Sequence, residues 1–177
     1  MCVYAAMNTN EINQILLNSV PDTFKGTYPV NQLPNHFDSF PTAVVANTDP
    51  WPKPGAHWVA LYFPNSQKVE YFCSYACPPK PLFINYLNQF DRIKVNPKRV
   101  QGDFSAVCGQ YCIYYILKRS QGLKMKEIVA QFNQGNLQEN DEMIKCYVND
   151  NFNLDMPTYN WKFIEKQICH ALCLLDE

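Results

Sequence analysis

The chain has 177 residues, of which 47% are apolar and 14% aromatic, and its formal net charge is -1. This length and composition predict one globular domain over residues 1–177 with a sizeable core, and they exclude an intrinsically disordered chain. The charge balance lacks the cationic excess that favours nucleic-acid binding, and no run of about 18 apolar residues predicts a membrane span.

The cysteine content is high, at eight residues. Met1–Met7 lacks the basic start and the full apolar stretch of a signal peptide, so we expect a protein that is not secreted. Outside an oxidising compartment, reduced thiols are favoured over a disulfide framework.

The first half of the chain predicts mainly strands, because short apolar runs alternate with turn residues. In chain order, the predicted elements are a helix from N-cap residues at 8–11 through about Asn18, a turn-rich segment at 20–34, a buried strand at Thr42–Asn47, a proline-rich loop at 49–55, and a hairpin of strands at 57–63 and 69–73.

The second half predicts mainly helices. Its segments with helical apolar spacing are 82–90, 105–118, 124–132, 139–151 and 160–174, with one edge strand at 93–95. Strands gathered in the first half and helices in the second are typical of an α+β domain.

Cys108 stands near the start of the helix predicted for 105–118. A thiol at a helix N-terminus lies at the positive end of the helix dipole, which should lower its pKa and favour the thiolate. Ser105 is placed to cap this helix, and Gly109 allows a close backbone approach. A buried structural cysteine is the alternative for Cys108, and it is the better interpretation of Cys112, one turn further into the apolar helix.

His57 and Gln101 supply the other groups of a thiol-protease site. His57 begins an apolar strand, and Trp58 beside it offers a flat apolar wall. Gln101 precedes Cys108 by seven residues, so its amide could join the Cys108 backbone N–H as a second donor to an oxyanion. Taken singly, His57 could be structural and Gln101 only a polar loop residue. Together with Cys108, they provide a base, an oxyanion donor and a nucleophile.

Several motifs resemble those of the adenovirus-type (adenain-like) cysteine proteases, and especially their relatives in Maverick/Polinton transposons and large DNA viruses, within the clan of the SUMO-processing proteases. The likeness spans about residues 10 to 120. The matching segments are Gly26–Pro34, Ala46–Pro50, His57–Phe63, Val69–Phe72, Val100–Gly102 and Ser105–Gly109.

The resemblance implies a central mixed sheet flanked by helices, with papain-like site geometry in the chain order His, acid, Gln, Cys. It implies peptide-bond hydrolysis through a Cys108 thioester, with His57 as general base, Gln101 in the oxyanion hole, and Trp58 and Gly109 in the substrate cleft. The expected substrates are viral or transposon structural precursors with small residues at the cleavage site. We expect a monomer without metal or cofactor, acting in the cytoplasm or nucleus of a host cell or in the virion.

One position departs from the family pattern. The family places an Asp or Glu where this chain has Cys73, and that carboxylate would fix the tautomer of His57. Losing the correct tautomer costs a serine protease about 10⁴ in kcat, although a thiol nucleophile depends less on its base. Glu70 is an odd number of residues away on the strand and should face the opposite side, while Asp103 lies in the Gln101 loop.

Three hypotheses remain open from the sequence. The chain could be an active protease with a Cys108–His57 dyad, or a non-enzymatic relative that binds peptides or a ubiquitin-like protein. In the third, Cys73, His57 and Cys108 converge to bind Zn²⁺ or two of the thiols form a disulfide. Cys169 and Cys173 share a helix face that His170 does not, which favours packing over metal binding.

Overall fold

The computed structural model describes residues 6–152, which contain five strands and five α-helices. Their bounds are α1 Thr9–Ser19, β1 Phe24–Pro29, β2 Thr42–Asn47, β3 Trp58–Asn65, β4 Lys68–Phe72, α2 Pro81–Leu87, β5 Arg92–Val95, α3 Cys108–Ser120, α4 Met125–Val129 and α5 Leu137–Asn151, with a 3₁₀ turn at Val30–Gln32.

The strands form one mixed sheet in the order β1-β2-β3-β4-β5. The outer pairs, β1 with β2 and β4 with β5, are parallel, whereas β2, β3 and β4 pair antiparallel. Helices cover both faces, which confirms the expected α+β fold with a mixed central sheet flanked by helices.

Alternation along the strands divides the core into two layers. Ala43 and Val45 of β2 point towards α1, α3, α4 and α5, while Val44 and Ala46 join the layer closed by α2 and the 3₁₀ turn. Adjacent strand residues point to opposite faces, so an apolar strand such as β2 is buried on both sides.

Helix α3 fixes the position of Cys108. Every residue from Cys108 to Leu117 is buried, because α3 is covered by the sheet on one side and by α1, α4 and α5 on the others. The ring of Tyr115 stacks on Phe72 of β4 with centroids 4.3 Å apart. The N-terminus of α3 lies beside the beginning of β3, where Gly109 approaches Trp58 closely.

Several sequence predictions hold and several boundaries do not. Helix α1, strand β2, the β3–β4 hairpin and the edge strand β5 are confirmed. The turn-rich interpretation of 20–34 is wrong, because Phe24–Pro29 forms β1. Gly26 and Pro29 suggested turns, but an edge strand accommodates both residue types.

The remaining differences are in the helices. Helix α3 begins at Cys108 and not at Ser105, and α2 and α4 are shorter than the apolar spacing predicted. The helix predicted at 160–174, with Cys169 and Cys173, lies outside the described residues. None of the helices within 6–152 has the length and apolar character needed to cross a bilayer.

Candidate active site

A cleft of about 590 Å³ opens between the start of β3, the loop that precedes it and the start of α3. His57, Trp58 and Cys108 all line this cleft, together with Tyr75 and Ser105. The fold therefore brings the predicted nucleophile and the predicted base, which are distant in sequence, to one solvent-accessible cavity.

Cys108 is the first residue of α3, and no side chain caps this helix at Val107. Burial raises the pKa of the Cys108 thiol, although the backbone N–H groups of Trp58 and Gly109 beside the sulfur oppose that rise. The predicted lowering of this pKa is wrong in direction, because desolvation of the sulfur exceeds the effect of the helix N-terminus. The expected cap is also absent, since Ser105 hydrogen-bonds to Gln101.

His57 lies just before β3, and its Nε2 is 3.3 Å from the sulfur of Cys73. Burial, with a smaller contribution from the positive charge of Lys80, lowers the pKa of His57 to about 4. The imidazole is therefore neutral at physiological pH. Nε2 contacts Cys73, whose neutral thiol can donate to this nitrogen or accept from it, so Nδ1 is the ring nitrogen that remains for a group in the cleft.

Cys73 occupies the place beside His57 where the resemblance led us to expect a carboxylate. Burial raises the pKa of Cys73 to about 11, so the thiol is neutral and brings no charge to the imidazole. The side chain of Asn96 fixes the position: its Oδ1 accepts from the Cys73 backbone N–H, and its Nδ2 donates to the Cys73 carbonyl, both at 2.8 Å. Sequence reasoning missed Asn96, because nothing near it marks a partner 23 residues away.

The two other acids considered from the sequence are engaged elsewhere. The Glu70 carboxylate accepts hydrogen bonds from Tyr115 at 2.6 Å and Arg119 at 2.7 Å, so it faces α3 as its odd offset predicted. Asp103 forms an ion pair with Arg99. Within residues 6–152, neither carboxylate hydrogen-bonds to His57.

Gln101 is completely buried and does not line the cleft. Its Nε2 donates to the carbonyl oxygen of Ser105 at 2.8 Å and to Ser105 Oγ at 3.0 Å, and its Oε1 accepts from the Ser74 hydroxyl. In this arrangement the amide supports the loop before α3, and Ser105 stands between Gln101 and the cleft.

The Gln101 loop is anchored by α5. Asp141 accepts the backbone N–H of Gly102 at 3.1 Å and contacts the Tyr111 hydroxyl at 2.9 Å, while Asn140 donates to the Val100 carbonyl at 3.0 Å. Both α5 side chains are buried. The only sequence signal for them is a polar pair within a helix, and that pattern is usually solvent-exposed.

Trp58 forms part of the cleft wall beside Cys108, whereas Gly109, which was expected in the substrate cleft, does not line it. The Trp58 indole lines the cleft and donates to the Met7 carbonyl at 2.9 Å. A Cβ added to Gly109 would lie 3.0 Å from Met7 Cβ, 3.3 Å from Ile12 and 3.4 Å from Trp58. Glycine at 109 therefore lets α1 and Trp58 pack closely against α3, and its backbone is not among the groups lining the cleft.

Nothing in the geometry supports the zinc hypothesis. No three His, Cys, Asp or Glu side chains in the described part of the chain are grouped closely enough to hold a metal ion, and this includes Cys73, His57 and Cys108. The five cysteines within residues 6–152 are free thiols.

Comparison with known proteins gives a fold relationship. No family model and no curated protein matches the chain. Two crystal structures of the ASFV pS273R protease, one of them of the selenomethionine protein, are similar, with TM-scores of 0.59 and 0.55 at 17% and 18% identity. Each match covers 80% of this chain but only 66% of the protease chain. The described residues therefore share the fold of that protease.

Proposed function

We propose that the chain is a cysteine endopeptidase of the adenain-like type. The observation that carries the proposal is that Cys108 and His57 line the same cleft. Cys108 lies at the N-terminus of the buried helix α3, and His57 contacts Cys73 through Nε2. The shared fold with the ASFV pS273R protease supports the same class of reaction.

The reaction would follow the two-step course of thiol proteases. The Cys108 sulfur attacks the scissile carbonyl carbon while its proton passes to Nδ1 of His57. The carbonyl oxygen becomes an oxyanion that the Cys108 backbone N–H can bind. The imidazolium then gives its proton to the leaving amine, and a water molecule activated by His57 hydrolyses the thioester.

The protonation states favour proton transfer during attack over a preformed ion pair. A thiolate–imidazolium pair requires the pKa of the histidine to approach or exceed that of the thiol, whereas burial lowers the pKa of His57 to about 4 and raises that of Cys108. The resting site therefore holds a neutral thiol and a neutral base. Such a site works more slowly than one with an assembled ion pair, because the deprotonation cost is met in each turnover.

Protein substrates are proposed on the same grounds. A cleft of about 590 Å³ is within the range of sites that enclose several residues of an extended peptide. The sequence resemblance points to structural precursors of a virus or transposon, cleaved next to small residues.

A peptide library tests the proposal over many candidate cleavage sequences at once. Purified protein is incubated with proteome-derived peptides, and new termini are identified by mass spectrometry. We expect cleavages that disappear in Cys108→Ala and fall strongly in His57→Ala, while Cys146→Ala, an exposed thiol outside the cleft, behaves as wild type. Cleavage that persists in Cys108→Ala would refute the proposal.

A second candidate function follows from the neutral groups around His57. If Cys73 and the low pKa of His57 disarm the site, the cleft would bind peptides without cleaving them. Peptides enriched by wild type but not by a Trp58→Ala variant, with no new termini in the library, would favour this binding role.

A further inference from the structure

We propose that Cys73 and Cys77 form a reversible disulfide that controls His57. In the structure both cysteines are free thiols, and the sulfur of Cys73 lies 3.3 Å from Nε2 of His57. Oxidation would bond the Cys73 sulfur to that of Cys77 and take the thiol away from the imidazole. The consequence for peptide cleavage rests on the proposed protease function, whereas the disulfide and its effect on His57 can be measured without it.

The two cysteines lie at the ends of a tight turn that follows β4. The Ala76 backbone N–H donates to the Cys73 carbonyl at 2.8 Å, and Ala76 has a positive φ of 52°. This left-handed residue turns the chain back, so that the thiol and the backbone N–H of Cys77 both lie beside the Cys73 sulfur. Converging side chains are the first condition for a disulfide, because cysteines whose Cβ atoms point apart cannot be bridged without backbone movement.

The two thiols differ in their access to solvent. Cys77 is exposed and lies outside the cleft, whereas Cys73 is completely buried. Burial also raises the pKa of Cys73 to about 11, which keeps this thiol protonated and slow to react with an oxidant in solution. Cys77 is therefore the thiol that an oxidant meets first, and Cys73 is placed behind it as the resolving thiol.

The oxidant that this step requires is a low-molecular-weight disulfide, such as glutathione disulfide. The Cys77 thiolate attacks one of its sulfurs, forms a mixed disulfide and releases one glutathione. The Cys73 sulfur then attacks the Cys77 sulfur and releases the second glutathione. Each departing glutathione takes up the proton that the attacking cysteine lost. Two protein thiols are thus oxidised to one disulfide, and one glutathione disulfide is reduced to two thiols.

The same turn carries other contacts that shape the candidate site. The ring centroids of Tyr75 and His57 are 5.1 Å apart, and the Tyr75 hydroxyl donates to the Ser105 carbonyl at 3.0 Å. The Ser74 hydroxyl donates to Gln101 Oε1. A covalent bond across this turn therefore acts on a segment that contacts both His57 and the loop before α3.

A disulfide changes what Nε2 of His57 can bind. The neutral thiol can donate to this nitrogen or accept from it, whereas a disulfide sulfur has no proton to donate. The imidazole would lose the partner that leaves Nδ1 for the cleft. Losing the correct tautomer costs a serine protease about 10⁴ in kcat, and a thiol nucleophile depends less on its base. We therefore expect oxidation to lower kcat about 10- to 100-fold.

The test equilibrates the full chain with mixtures of reduced and oxidised glutathione, traps free thiols and maps disulfides by mass spectrometry. We expect a Cys73–Cys77 disulfide in wild type, reversed by dithiothreitol. Cys146→Ser removes a different exposed thiol and should oxidise like wild type. The ring nitrogen NMR resonances of His57, assigned with His57→Gln, should change when wild type is oxidised and stay unchanged in Cys77→Ser.

Cleavage of a peptide from the library measures the consequence for the proposed reaction. Oxidised wild type should lose about 10- to 100-fold in kcat, whereas Cys77→Ser in the same buffers should keep the activity of reduced wild type. Glutathionylation of Cys108 would inhibit both proteins alike and is visible in the intact mass. The difference between the two proteins therefore isolates the effect of the Cys73–Cys77 pair.

Two results would overturn the proposal. Cys77 could carry only glutathione while Cys73 stays reduced or pairs with Cys108, which would show that Cys73 and Cys77 do not form a pair. The disulfide could also form and leave the His57 resonances unchanged, which would show that it does not control the imidazole. Failure of the proposed function looks different: the disulfide and the change at His57 appear, but reduced wild type cleaves no peptide. The redox pair would then stand and the protease function would fall.

Discussion

Replacing Cys73 with aspartate should activate Cys108. The thiol of Cys73 lies 3.3 Å from Nε2 of His57 and carries no charge. A carboxylate at this position would accept the Nε2–H, leave Nδ1 as the free base and stabilise the imidazolium electrostatically. The substitution therefore fixes the tautomer with Nδ1 as the free base and raises the basicity of His57.

The size of the effect follows from the separation of the charges. Opposite charges about 4 Å apart at an effective dielectric constant of about 20 interact by about 4 kcal/mol, and each pKa unit corresponds to about 1.4 kcal/mol. A neighbouring opposite charge typically changes a pKa by about 1 to 3. We expect the pKa of His57 to rise from about 4 by this amount. Each unit raises the thiolate–imidazolium population tenfold, so Cys108 should react about 10 to 1,000 times faster near neutral pH.

The assay is the rate of Cys108 alkylation against pH, followed by mass spectrometry with Cys146 of the same molecule as an internal reference. The imidazole resonances of His57 report its pKa independently. Cys73→Asn is the matched control: it can fix the tautomer but adds no charge, and it should leave the pKa of His57 low. Thermal unfolding checks that the new buried carboxylate has not unfolded the site.

The reasoning would be refuted by a folded Cys73→Asp protein with an unchanged pH profile for Cys108 and an unchanged pKa for His57. That outcome would mean that position 73 does not control the imidazole. An equal activation by Cys73→Asn would instead show that the tautomer, and not the charge, limits the site.

Three further outcomes are expected. Glu70→Gln should lower the free energy of unfolding by about 3 to 5 kcal/mol in urea titrations, because it breaks the ion pair with Arg119. Alkylation of Cys108 should stay at the wild-type rate, and a loss of that reactivity would make Glu70 part of the site. Gly109→Ala should destabilise by about 1 to 3 kcal/mol through the contact with Met7, and an unchanged melting temperature would contradict the packing argument. In the folded state, His57 binds a proton only near pH 4, whereas in the unfolded chain it does so near pH 6.5. The free energy of unfolding should therefore fall as the pH drops below about 6.5, by about 2 kcal/mol at about pH 5. His57→Gln should lack this part of the loss, and an identical pH dependence in both proteins would contradict the argument.

The fold was largely predictable because its signals are local. The buried strand β2, the hairpin and the apolar helix α3 each carry a pattern that burial imposes on neighbouring residues. Strand β1 was missed because only Phe24 of its six residues is fully buried. Gly26 and Pro29 carry turn signals, and the pairing of β1 with β2 is set by tertiary contacts.

The candidate site was predictable in its residues but not in its electrostatics. Sequence motifs led to Cys108, His57, Gln101 and the odd residue Cys73. The direction of the Cys108 pKa could not follow from its place on a helix, because desolvation depends on what packs over the sulfur. The supports from Asn96, Asn140 and Asp141 were invisible for a similar reason: each contacts a partner that is far away along the chain.

Two features of the cleft bear on the attack of Cys108 in the proposed reaction: the neutral Cys73 beside His57, and the fixed loop before α3. In the proposed reaction, the neutral Cys73 thiol beside His57 adds no negative charge to stabilise the imidazolium, so removal of the Cys108 proton is harder. Gln101 and Tyr75 both donate to the Ser105 carbonyl and so fix the loop that leads to Cys108 and its backbone N–H. Since the barrier depends on both proton transfer and oxyanion binding, a weak base can be tolerated where the oxyanion donors are well fixed.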